Sequence, residues 1–162
     1  MNRFIALFVL ALALTGCGLQ PLYSGGSKGA VASTLGTINV APIEGKSGWL
    51  MRNALNDRLG GQNNEAAQFR LVVTLDDQIE GFGVRADDTV TRERRTLRAR
   101  YQLIAVASGE TLLDATAGSD AGIDVVSSEY ATIAGENSAL ENLTQKVADQ
   151  IVTRLSIYAR GE

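Results

Sequence analysis

Apolar and polar positions split the chain into one unbroken apolar run followed by patterned segments. Phe4 to Leu14 (FIALFVLALAL) holds no polar residue and follows Arg3. The run is short for a transmembrane helix, which takes about 20 residues, and has the form of a secretory signal peptide. Thr37 to Ile43 reads as a short strand, ended by Pro42 and Gly45. Ser47 is placed to cap a helix running to Leu59 and stopped by Gly60-Gly61. Within it Met51, Leu55 and Leu59 share a face, with Leu50 and Ala54 beside them. Residues 68–82 then alternate, with Phe69, Leu71, Val73 and Leu75 on one side. A turn at Asp87-Asp88 leads into a strand over 90–107, where Leu97, Ala99, Tyr101, Leu103 and Ala105 share a face. Ser108-Gly109-Glu110 is the next turn, and a third long strand runs from about Thr111 to Val126 through small residues and Gly. In the last segment Leu140, Leu143, Val147, Ile151, Leu155 and Tyr158 recur at steps of three or four. That spacing makes one continuous helical face, opened by a capping box at Ser138 and Glu141. An earlier start near Glu129 is open to this helix, with Gly135 as its weak point.

The element order is strand, helix, three strands, helix. Consecutive strands joined by short turns pair antiparallel, and the helices must bury their apolar faces on the apolar side of the sheet. The expected fold is α+β: a two-layer sandwich with a four-stranded mixed or antiparallel sheet and two helices on one face. Residues 24–34 (SGGSKGAVAST) read as a flexible tether. The expected organisation is a cleaved signal peptide over 1–16, a lipidated N-terminus and tether over 17–34, and a single domain over 35–162.

Composition narrows the chemistry. With 45% apolar and 20% charged residues and only 2 Pro in 162, the chain has the makings of a globular core. His is absent and Cys occurs once, which removes the commonest general base, any internal disulfide and a Zn-type cluster. A net charge of −3 gives no global signal for nucleic acid. Gly45-Lys46-Ser47 lies between a strand and a helix, but Val40 stands where a phosphate-cradling loop needs its first Gly. Asp76 and Asp77 are neighbours on a strand and point to opposite faces, so they cannot share a site. Trp49 and Tyr130 read as packing residues. Neither a catalytic residue, a metal nor a diffusible cofactor is expected.

One charged pattern stands out. Arg92, Arg94, Thr96, Arg98, Arg100 and Gln102 alternate with the core residues of the middle strand. They point away from the helices, about 7 Å apart along the strand. This row has two readings. It forms exposed ion pairs with Asp76, Glu80 and Asp114, which stabilise little, or it meets a phosphate- or carboxylate-bearing partner. The planar fork of Arg suits phosphate.

Leu14-Thr15-Gly16-Cys17 resembles the lipobox of bacterial lipoproteins. That likeness implies cleavage between Gly16 and Cys17, a diacylglyceryl group on the Cys17 thiol and an N-acyl chain on its amine. Gly18, rather than the Asp that retains such proteins at the inner membrane, implies the outer membrane. Beyond the lipobox, Cys17-Gly18-Leu19-Gln20-Pro21-Leu22-Tyr23, Arg95-Thr96-Leu97-Arg98-Ala99-Arg100-Tyr101 and Ala148-Asp149-Gln150-Ile151-Val152-Thr153-Arg154-Leu155 resemble the lipopolysaccharide-assembly lipoprotein family LptE, in its alphaproteobacterial form. The resemblance implies a non-enzymatic, lipid-anchored protein facing the periplasm inside the lumen of the LptD outer-membrane β-barrel. There it would bind lipopolysaccharide and assist its assembly into the outer leaflet. Assigning the contact to Arg92, Arg94, Arg98 and Arg100 follows from the strand-face argument, not from the resemblance. The alternatives are a lipid-binding lipoprotein subunit of a periplasmic phospholipid transport system and, less well matched to the residues, an anchored periplasmic enzyme.

Overall fold

The structure is a computed structural model that describes residues 30–60, 67–84 and 90–161. Gly16, Cys17, the signal peptide, the first part of the tether and the Asp87-Asp88 turn lie outside the described residues. In chain order the elements are α1 (Ala30–Leu35), β1 (Ile38–Val40), α2 (Gly45–Leu59), β2 (Phe69–Val84), β3 (Val90–Ala105), β4 (Thr111–Asp124) and α3 (Glu129–Ala159).

Alternation fixes the sheet. Leu71 and Val73 on β2, and Leu97, Ala99, Tyr101 and Leu103 on β3, are buried under the helices. The intervening residues face the other way. Strand order is β1-β2-β3-β4. β1 runs parallel to β2 in the register Ile38↔Phe69, while β2, β3 and β4 are antiparallel neighbours. The sheet is therefore mixed, as expected, and β1 and β4 are its edges. β1 is shorter than the sequence indicated because Pro42 and the entry into α2 take the chain off the sheet after Val40. The β3–β4 turn falls at Gly109, whose φ of 72° favours glycine.

The helices form the second layer. α2 buries Met51, Ala54, Leu55 and Leu59, the stripe its spacing predicted, and ends at Gly60, whose φ of 70° and N–H bond to the Asn56 carbonyl (3.1 Å) close the last turn. Its start differs from expectation. Ser47 is not the cap; the helix begins at Gly45 after an extended Glu44 that supplies no side-chain cap. Gly48 is buried so closely under Ile43 that a Cβ there would stand 2.6 Å from the Ile43 carbonyl oxygen. That contact, invisible to periodicity, sets the entry angle.

α3 takes the earlier of its two expected starts. It begins at Glu129 rather than Ser138, and its 31 residues make it about 46 Å long. Ser128 is the cap and accepts a hydrogen bond from the Ala131 N–H (3.4 Å). The Ser138–Glu141 capping box is unused because the preceding turns have something to pack on. Gly135 lies over Ile123 of β4, and the Glu136 carbonyl accepts from Arg95 of β3. Leu140, Leu143, Val147, Ile151 and Leu155 are buried, whereas Tyr158 is at the rim. The hydroxyls of Thr144 and Ser156, buried on the same helix, donate to the Leu140 and Val152 carbonyls, so neither is left without a partner.

Three further differences concern packing. Residues 30–34, read as the end of a tether, form with Leu35 a short helix that sets Val31 and Leu35 on the core. Trp49 and Tyr130, read as packing residues, are 64% and 83% exposed. Lys46, in the first turn of α2, donates to Asn137 of α3 (2.5 Å), so the segment that superficially resembles a phosphate cradle clips two helices together.

Candidate anion-binding face

The sheet face away from the helices carries the predicted arginine row. Arg92, Arg94, Arg98 and Arg100 are all exposed on it. Because β3 is an inner strand, the row runs down the middle of the face. Asp76 and Glu80 on β2, and Asp114, Asp120 and Asp124 on β4, stand in register on either side. The face is a basic stripe between two acidic margins rather than a broad positive field.

The four arginines are held differently. Arg100 makes a bidentate pair with Asp114, Nε to Oδ1 at 3.1 Å and Nη2 to Oδ2 at 2.8 Å, and Gln102 donates to the same carboxylate at 2.9 Å. The hydrogen bonds from Arg100 and Gln102 hold the Asp114 carboxyl down at about 2. The same hydrogen bond raises the Arg100 guanidinium above its ordinary value. Arg92 pairs with Asp124, Nε to Oδ1 at 3.0 Å. Arg94 instead lies over the Phe82 ring, 5.2 Å from its centroid. Arg98 faces Asp76 and Gly118 in register, yet no carboxylate among the described residues pairs with it or with Arg94. Asp76 accepts from Gln78 (2.9 Å). A shallow depression of about 380 Å³ opens around Arg98, walled by Thr74, Asp76, Arg100 and Thr116.

The ion-pair expectation therefore holds in part. Asp114 pairs as anticipated, and Asp76 and Glu80 do not. Asp124, which sequence reasoning missed, does pair. Finding it needed the β3–β4 register, and the small residues of β4 had blurred that strand's end.

A second missed pair sits on the helix side. Arg95 donates to Asp77 through Nε (2.8 Å) and Nη2 (2.7 Å) and to the Glu136 carbonyl through Nη1 (2.9 Å). Both side chains are largely buried, and the Asp77 hydrogen bond raises the Arg95 guanidinium above its ordinary value. Odd numbering alone would have flagged both as inward-facing. Asp76 and Asp77 do point to opposite faces, as expected. No cluster of three or more His, Cys, Asp or Glu side chains suited to a metal occurs among the described residues.

The LptE lipopolysaccharide-assembly family matches residues 35–155, from the end of α1 to near the end of α3. The chain belongs to this family. No curated protein matches it. Among solved structures it is similar to a putative lipoprotein from Caulobacter crescentus, with a TM-score of 0.71 and 24% identity over 83% of this chain and 100% of that one. A minor lipoprotein from Acinetobacter baumannii gives 0.63 and 12% over 76% and 92%. The rare lipoprotein B from Shewanella oneidensis gives 0.60 and 10% over 76% and 96%. At these identities the neighbours establish a shared fold for this LptE-family chain, including its mixed four-stranded sheet. No helix among the described residues is long and apolar enough to cross a membrane.

Proposed function

We propose that this LptE-family protein is the lipid-anchored, non-catalytic subunit that occupies the lumen of the LptD outer-membrane β-barrel and binds lipopolysaccharide on the open face of its sheet. The observation that carries the reading is the arginine row at the centre of that face, in which Arg94 and Arg98 have no carboxylate partner among the described residues. Lipid A and the inner core carry phosphates, for which a guanidinium fork is well shaped. Arg92 and Arg100, tied to Asp124 and Asp114, frame the row and add less to binding. A polar face suits the polar interior of an outer-membrane barrel. Lipidation of Cys17 after cleavage at Gly16 would anchor the subunit at the periplasmic side; several acyl chains, at about 0.8 kcal/mol per buried CH₂, make that anchoring stable.

Two measurements test this. Replacing Arg94 and Arg98 together by Glu should weaken lipopolysaccharide binding at least tenfold, by removing two charge-assisted contacts, while the unfolding midpoint stays put. Unchanged affinity would take the row out of the mechanism. A C-terminally tagged chain recovered from outer membranes in mild detergent should bring one large β-barrel at equal stoichiometry. Inner-membrane transporter subunits in its place would favour the phospholipid-transport alternative. In the same cells Cys17→Ala should abolish palmitate labelling.

A further inference from the structure

Gly118 sits in the interior of β4, where glycine weakens a strand and needs a local reason. Backbone conformation is not that reason: its φ lies outside the left-handed region that Gly45, Gly60, Gly83, Gly109 and Gly161 occupy. Space is. A Cβ at this position would stand 2.6 Å from Cδ and 2.7 Å from Nη1 of Arg98. Arg98, directly opposite on β3, lies across the missing side chain. The neighbouring glycine on the same face behaves differently. Gly122 stands opposite Arg94, a Cβ there meets nothing within 4 Å, and Arg94 is turned toward Phe82 on the other side. The peptide at Gly118 is also pinned. Its N–H donates to Oε1 of Gln150 (3.1 Å), and its carbonyl accepts from Nε2 of the same amide (3.3 Å). One side chain of α3 thus closes the free edge of β4 at the spot where Arg98 crosses it.

We propose that Gly118 is a positioning residue for the anion site. The notch it leaves in β4, fixed by Gln150, lays the Arg98 guanidinium over the β4 backbone between Thr116 and Asp120, beside the depression walled by Thr74, Asp76, Arg100 and Thr116. Arg98 is thereby presented to a lipopolysaccharide phosphate instead of being free to swing onto Asp114 or Asp120. The inference rests on the binding function proposed above and adds the residue that orients its central arginine.

The test is a double-mutant cycle on the full mature chain, with purified lipopolysaccharide and the same material dephosphorylated as probes. Gly118→Ala presses hardest on Cδ and Nη1 of the flexible Arg98 side chain and less on the Leu97 carbonyl oxygen at 3.2 Å, so the fold should persist while Arg98 is displaced. Affinity for the phosphorylated probe should fall about tenfold, the loss of one charge-assisted hydrogen bond. Affinity for the dephosphorylated probe should not change. In an Arg98→Ala background the same Gly118→Ala change should have no further effect, and Gly122→Ala should be silent throughout. An equal loss with and without Arg98, or full affinity in Gly118→Ala when Arg98→Ala is weakened, would overturn the positioning role alone. Full affinity in Arg98→Ala itself would sink the binding role of that arginine, and the positioning role with it. Should Gly118→Ala fail to fold, relaxation of the Arg98 Nε–H in the unsubstituted protein decides. An ordered side chain supports the proposal, and one as mobile as a free surface arginine refutes it.

Discussion

At the scale of single residues, register decides which charges matter. Alternation along β3 was enough to place four arginines on one face, but not to say which of them would be neutralised. That depended on β4, because Asp114 and Asp124 reach Arg100 and Arg92 only in the observed pairing. Asp114 offers a direct check. Its folded value of about 2 lies below its ordinary 3.8, so its contribution to stability is present above the ordinary value and is lost as pH falls toward 2. A carboxyl titration followed by NMR should find Asp114 still ionised at pH 3, and Arg100→Ala should return it toward its ordinary value. A normal titration in the unsubstituted protein would show that the bidentate pair does not persist in solution. Tyr101 behaves in the opposite sense: burial raises its phenol, so its neutral form stabilises the fold up to its unfolded value and that contribution is lost as pH climbs above it.

At the scale of elements, apolar periodicity located every long element and misjudged some of their ends. The stripe through Met51, Leu55 and Leu59 is a local property of α2, whereas its first turn is set by the contact of Gly48 with Ile43. Gly48→Ala should accordingly cost about 1–3 kcal/mol in urea unfolding, as overpacking against backbone does. Stability equal to the parent would mean the turn yields freely. Gly135 gives the reverse case. It lies inside α3 with only an Ile123 methyl at 3.4 Å from a Cβ, a point of low helix propensity within a helix that runs through it. Gly135→Ala should raise stability by about 0.5–1 kcal/mol through helix propensity. A loss would show that the Ile123 contact cannot relax.

At the scale of the whole molecule, one core joins the helices to a single face of the sheet, and the other face is left to charged and polar side chains. That asymmetry leaves one face of the sheet open to solvent. The core also reaches further toward the N-terminus than composition suggested. Val31 packs on it from α1, so Val31→Ser should lower the unfolding free energy by about 1 kcal/mol, the value of roughly one buried methylene. No effect would restore residues 30–34 to the tether. The pairing of Arg95 with Asp77 and the Glu136 carbonyl works at this scale too, since it ties β2, β3 and the N-terminal part of α3 together.

The sequence by itself determined the α+β class, a four-stranded sheet under a helical layer, the apolar stripes and the arginine face. Each of these follows from periods of 2 and 3.6 residues, which are local and written in the order of side chains. The lipobox and the likeness to LptE were equally local, being runs of adjacent residues. Tertiary structure alone decided where α2 begins and which of two starts α3 takes, that α1 belongs to the core, that Trp49 and Tyr130 are exposed, and that Arg94 and Arg98 rather than Arg92 and Arg100 are left without carboxylate partners among the described residues. Those outcomes depend on residues far apart in the chain meeting in one register. A glycine such as Gly118, unremarkable in a run of small residues, acquires a role only when the side chain that needs its space arrives from another strand.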